Sequence, residues 1–202
     1  MEKKRRRLAI ISILSLFICM ALLLIIHSIN TINPDTADPQ VALKDEPNIN
    51  LDSELKKIEI LIKMGFENAD IYYNRGWIYD QKGRIDLARR DYTSAVQLDE
   101  NYADAFFNRG LIYMKENKYA EAISDFTEAI RSDPLMSDAL CNRANAYLKT
   151  GKAEKALEDY TKAIAINDKD PDLYRNRAFV YRALGRFSDA DMDLKKAMEF
   201  GL

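Results

Sequence analysis

Histidine is almost missing from this chain: His27 is the only one among 202 residues. A Ser/His/Asp catalytic group and a multi-imidazole metal site both need histidines placed near other reactive side chains, and the region beyond residue 50 has none to offer. Cysteine is equally scarce. Cys19 lies in an apolar N-terminal run and Cys141 far from it, so no disulfide is expected and stability has to come from packing. An excess of charge of one sign is also lacking, with a formal net charge of −2. The cations that do cluster, Lys3, Lys4, Arg5, Arg6 and Arg7, sit at the N-terminus, while residues 51–202 are mildly acidic. Such a surface does not attract a phosphate backbone, so nucleic acid is not an expected partner. Neither a cofactor nor a metal is expected.

A long apolar run occurs once. Leu8 to Ile26 carries no charge and only Ser12 and Ser15 as polar breaks. As a helix these 19 residues span about 28 Å, close to the roughly 30 Å of a bilayer core. A cleaved signal peptide would have a shorter apolar region and a small-residue cleavage site, and His27-Ser28-Ile29-Asn30 does not supply one. Ile18 is too bulky for the residue before the Cys of a lipoprotein box. Residues 8–29 are therefore read as an uncleaved signal-anchor, a single transmembrane helix. The basic segment 1–7 precedes it, and positive charge stays on the cytoplasmic side. The N-terminus is expected in the cytoplasm and the rest of the chain outside it, in the periplasm if the cell is bacterial. An anchor in the outer mitochondrial membrane would instead leave the rest in the cytosol. Residues 30–50 are polar, contain Pro34, Pro39 and Pro47, and show no persistent period. They read as a flexible linker with an end-to-end distance of roughly 25 Å.

Beyond the linker the sequence repeats every 34 residues. Gly76, Gly110, Ala144 and Ala178 align, and Tyr79, Tyr113, Tyr147 and Tyr181 follow them. Further on stand Ala88, Ala122, Ala156 and Ala190, then Tyr92, Phe126, Tyr160 and Leu194, then Ala95, Ala129, Ala163 and Ala197. A period of this length marks stacked helical hairpins. The units are 69–102, 103–136, 137–170 and 171–202. Helix A of each is expected near 70–82, 104–116, 138–150 and 172–184, and helix B near 85–98, 119–131, 153–166 and 187–199. Gly83, Asn117, Gly151 and Gly185 fall at the A–B turn, where a left-handed residue ends a helix. Asp70, Asp104, Asp138 and Asp172 fall in each first turn, as cap or dipole partner. Residues 51–68 form a capping helix, about 52–64, with Asp52 as its N-cap, Leu55, Ile58, Leu61 and Ile62 on one face, and Gly65 at its end.

These residues resemble the tetratricopeptide repeat (TPR) family, over roughly residues 69–202. The series Tyr72, Gly76, Tyr79, Ala88, Tyr92, Ala95 matches its pattern, and so does Phe106, Gly110, Tyr113, Ala122, Phe126, Ala129, Pro134. The resemblance implies an all-α TPR solenoid of four helix-turn-helix repeats with an N-terminal capping helix. It also implies a binding surface rather than a catalyst.

Two polar columns run through the units. Arg75, Arg109, Arg143 and Arg177 stand where the family favours Leu, and Asp91, Asp125, Asp159 and Asp193 recur in helix B. Each Arg is expected to reach an Asp across an A–B contact, in its own or an adjacent unit, since a planar guanidinium suits a partly buried carboxylate. The second column is Asn74, Asn108, Asn142 and Asn176. By the resemblance, helices A line a concave groove and these amides face into it. They are similar to the asparagine ladder of the superhelical TPR domain of O-linked N-acetylglucosamine transferase, and would hold a peptide main chain through paired donors and acceptors. Tyr73, Trp77, Phe107 and Leu111 would wall the groove and take side chains. The clamp that chaperone-binding TPR modules use for a terminal carboxylate does not fit: its cationic positions carry Tyr73, Asp138 and Asn142, or Phe107, Asp172 and Asn176 one unit on.

The expected function is that of a membrane-anchored scaffold or adaptor, not an enzyme, binding a partner protein or peptide. The alternative is a structural subunit whose units stack against a partner or a sister copy, leaving the groove empty. The sequence ends at Leu202, just past helix B of the fourth unit. Leu194, Met198, Phe200 and Leu202 are then expected to be exposed, a patch through which the C-terminal helix would support a homo-oligomer.

Overall fold

Helix boundaries in the computed structural model follow the sequence repeat closely over residues 50–201, the part of the chain that the structure describes. The basic segment 1–7, the anchor 8–29, the linker up to residue 49 and Leu202 lie outside those residues. Among the described residues the elements are all helical, and no helix is long and apolar enough to cross a membrane. In order they are α1 (Leu51–Lys63), α2 (Ala69–Gln81), α3 (Ile85–Leu98), α4 (Ala103–Lys115), α5 (Tyr119–Ser132), α6 (Ser137–Lys149), α7 (Ala153–Ile166), α8 (Pro171–Ala183) and α9 (Phe187–Glu199). The pairs α2–α3, α4–α5, α6–α7 and α8–α9 are the hairpins, and each helix B packs on the helix A that follows it.

The turns within hairpins share one construction. Gly83, Asn117, Gly151 and Gly185 have φ of 71°, 59°, 72° and 73°. Their N–H groups and those of the next residues close back on the last turn, as in Asn117 N to Met114 O at 3.1 Å and Lys118 N to Tyr113 O at 2.9 Å. These bonds satisfy carbonyls that a helix end leaves open. Helix B starts at once, with no side-chain cap on α3, α5, α7 or α9. Between units the ending differs. Asp99 and Asp133 are extended, and their carboxylates accept from Asn101 N at 2.9 Å and Leu135 N at 3.0 Å.

Two cap expectations need correction. Asn50, not Asp52, caps α1, its Oδ1 accepting from Ser53 N at 3.1 Å. Asp52 sits one position inside, with its carboxylate on Lys82 Nζ at 2.7 Å. The first-turn aspartates of helices A likewise cap nothing: Asn68 caps α2 and Asp170 caps α8. Asp70, Asp104, Asp138 and Asp172 lie inside the first turn, where a carboxylate meets the positive end of the helix dipole.

The core is a succession of patches between neighbouring helices. One joins Ala95 and Val96 to Ala105, Phe106, Ala129 and Ala139, and so runs through three units. Another joins Leu140, Ala163 and Ile164 to Leu173, Tyr174 and Ala197. The alanine columns are fully buried or nearly so, which lets backbones approach and leaves the volume to Tyr92, Phe126 and Tyr160. The fit is tight at Gly110, where an added Cβ would stand 2.7 Å from the Phe126 ring. Leu55 anchors the inner face of α1, which leaves Ile60 and Met64 exposed.

Candidate binding face

The arginine column forms a polar seam behind the A helices. Arg75 binds Asp91, Arg109 binds Asp125, Arg143 binds Asp159 and Arg177 binds Asp193, each through Nε and Nη2 to both carboxylate oxygens at 2.6–2.8 Å. Each pair lies within its own unit. The aspartates are buried, and this paired geometry satisfies both partners. For Arg75, Arg143 and Arg177 the carboxylate hydrogen bonds hold the guanidinium above its ordinary range. A further contact was not foreseen. Arg109, Arg143 and Arg177 also donate through Nη1 to Thr93, Thr127 and Thr161 of the preceding unit, at 3.1, 3.0 and 3.4 Å. A threonine at the same register of three successive B helices was the available signal.

The asparagine column does not behave uniformly. Asn74 is exposed, and its side-chain amide makes no hydrogen bond within the described residues. Asn108 donates through Nδ2 to the Tyr73 hydroxyl at 3.2 Å, and Asn142 donates to the Asp138 carbonyl of its own helix at 2.8 Å. Asn176 lines a cavity of about 340 Å³ together with Asn145, Leu148, Lys149, Tyr160 and Phe179. So among the described residues the Asn74 and Asn176 amides have no hydrogen-bond partner, whereas Asn108 and Asn142 each commit one N–H to the scaffold.

The apolar walls divide in the same way. Tyr73 is half-buried, stacked on Tyr102 at 5.0 Å and tilted against Tyr92 at 5.8 Å. Phe107 is half-buried against Phe126 at 5.9 Å, and Leu111 is half-buried. Trp77 remains 38% exposed and Phe179, at the same register in the fourth unit, 66%. Asn145, at that register in the third unit, accepts from the buried Tyr160 hydroxyl at 2.7 Å and thereby roots the cavity floor. Phe179 and Asn145 belong to this face as fully as Trp77 and Leu111 do. Register places both beside the asparagines, but only the structure shows Phe179 open and Asn145 half-buried.

Reactive chemistry has little to work with here. Burial pushes the Cys141 thiol up to about 11, so it stays protonated and weakly nucleophilic at neutral pH. Among the described residues, no group of His, Cys, Asp and Glu side chains is arranged to hold a metal.

At the far end, Met198 is 67% exposed and Phe187 65%, while Leu194 is half-buried and Phe200 packs on Tyr174 at 5.7 Å.

Comparison with known proteins agrees with this architecture. Residues 107–173 and 141–191 match a tetratricopeptide repeat family model, and residues 76–116 match a second TPR repeat model. No curated protein matches the sequence. Among solved structures, a crystal structure of MamA is similar with a TM-score of 0.70 and 24% identity, covering 74% of this chain and 88% of that one. The MamA RS-1 ArsTM double mutant gives 0.69 and 17%, covering 74% and 84%. At these identities the likeness carries the fold alone. The chain carries tetratricopeptide repeats, units that generally serve as non-enzymatic scaffolds for protein–protein interaction.

Proposed function

We propose that this protein is a membrane-anchored scaffold that holds a partner peptide or protein along the face lined by its A helices. The supporting observation is the uncommitted chemistry of that face: the Asn74 and Asn176 amides without a hydrogen-bond partner among the described residues, Trp77 and Phe179 exposed three positions after each, and a cavity at Asn176. Amides that offer a donor and an acceptor suit a peptide main chain, and exposed aromatic rings suit its side chains. The anchor is residues 8–29, with the basic segment in the cytoplasm and the repeats on the other side.

Photo-crosslinking in native membranes from position 77 should capture a partner protein. Pull-down of that partner should weaken on Asn108→Ala with Asn142→Ala, and weaken more on Asn74→Ala with Asn176→Ala. Unchanged binding in both pairs would remove the groove from the mechanism. Added protease should reach the repeats only from the extracytoplasmic side. A second reading, self-association through α9, is favoured by the exposure of Phe187, Met192 and Met198. A monomer at high concentration in sedimentation would dispose of it.

A further inference from the structure

The A-helix face changes character along its length. Setting aside the four arginines bound to helix B, α2 carries Asp70 and Asp80 and no cation. α4 carries Asp104 and Lys115 and α6 carries Asp138 and Lys149, one charge of each sign, while α8 carries Arg175 and Arg182 against Asp172. The register explains the change. Arg175 stands where the earlier units have Tyr73, Phe107 and Cys141, and Arg182 where they have Asp80, Met114 and Leu148. These cations surround Phe179, which forms the ridge between two recesses. On one side is the 340 Å³ cavity with Lys149 among its lining residues. On the other is a recess of about 170 Å³ lined by Arg175, Ala178, Arg182 and Leu194. Arg175 meets Asp172 at 2.7 Å and Arg182 meets Asp191 at 3.7 Å, while Lys149 has no carboxylate partner among the described residues.

An exposed ring between two recesses, flanked by cations on both sides, is complementary to one kind of segment. We propose that the third and fourth units bind an acidic peptide segment in which an apolar side chain is flanked by carboxylates. The apolar side chain enters the larger cavity against Phe179 and Leu148. A carboxylate on one side meets Lys149, and one on the other replaces Asp172 at Arg175 or Asp191 of α9 at Arg182. The Asn145 and Asn176 amides take the main chain between them. This rests on the groove reading above and adds the sign of the partner's charge and the place where it is read. Complementary charge fixes register and excludes partners of the wrong sign.

The test uses the full chain in mild detergent, with detergent alone as blank. One fluorescein-labelled probe is a short peptide alternating Glu with Leu and Phe, and the other is the same peptide with Lys for Glu. The Glu peptide should bind about tenfold or more tighter than the Lys peptide, with a preference that shrinks as salt is added. Phe179→Ala and Lys149→Glu should each weaken it about tenfold, and Leu135→Ala, in the loop before α6 and off the A helices, should leave it nearly unchanged. Both side chains are exposed, and an unchanged circular dichroism melt would show that the fold is intact. Equal binding of the two peptides, preference for Lys, or indifference to Phe179→Ala would overturn the proposal. If the Lys peptide binds and responds to Trp77→Ala, the groove reading survives and only the acidic assignment falls. If neither peptide binds, both fall.

Discussion

Removing one member of a buried ion pair leaves a charge with nowhere to go, and Arg109 with Asp125 is a good place to measure that. Asp125→Leu alone should cost about 3 kcal/mol, because Arg109 is then left beside a leucine. Arg109→Leu should cost a similar amount, and the double variant clearly less than the sum, so urea melts should give a large coupling energy. Pairing Arg109→Leu with Asp91→Leu, a carboxylate of the neighbouring unit, should give little. The tyrosines at the next position offer a second contrast. Tyr92 and Tyr160 are both fully buried, but the Tyr92 hydroxyl has no partner among the described residues, while that of Tyr160 donates to Asn145. Tyr92→Phe should therefore be neutral or stabilising, and Tyr160→Phe should cost about 1 kcal/mol in the same melts. Phe126 already occupies this position in the second unit.

Within the hairpins, what sets the geometry is a left-handed residue rather than a contact. An added Cβ at Gly151 would meet nothing within 4 Å, so the cost of Gly151→Ala is conformational alone, about 1–2 kcal/mol in thermal unfolding. Asn117→Gly should be close to neutral, relief of the left-handed φ of 59° being offset by loss of the bond that the Tyr119 hydroxyl donates to Asn117 Oδ1. This layer was the most legible in the sequence. The period gave all eight repeat helices to within one residue, because small residues, aromatics and turn residues recur where the packing needs them. The caps were less legible. Asp52 and Asn50 both suit an N-cap, and only the path of the backbone separates them; Asp52 is drawn instead to Lys82, thirty positions on. The Arg–Asp pairs were foreseeable from two columns of opposite charge, but the choice of the same unit was not, since spacing along the chain does not say which neighbour lies closer. On the candidate binding face, the register located the asparagines. Whether an amide is free depends on local rotamers, as Asn108 and Asn142 show.

At the scale of the whole stack, pH links the units. Burial raises the phenols of Tyr92, Tyr102 and Tyr160 above the usual tyrosine range. Above about pH 10 an unfolded phenol loses its proton while the folded one keeps it. The unfolded state then binds fewer protons, so stability falls as pH rises. Chemical melts between neutral pH and pH 11 should show that decline. Tyr92→Phe should make it shallower, and a flat profile in the unaltered protein would contradict the burial of these groups. The polar seam carries a different consequence. Each of Arg109, Arg143 and Arg177 reaches a carboxylate in its own unit and a hydroxyl in the one before. A duplicate of the second or third unit, 34 residues long, inserted between any two units would arrive with every one of these bonds already provided for. Lengthening or shortening by whole blocks is thus open to this architecture, whereas a loss or gain of any other length inside a helix would break the register of those bonds.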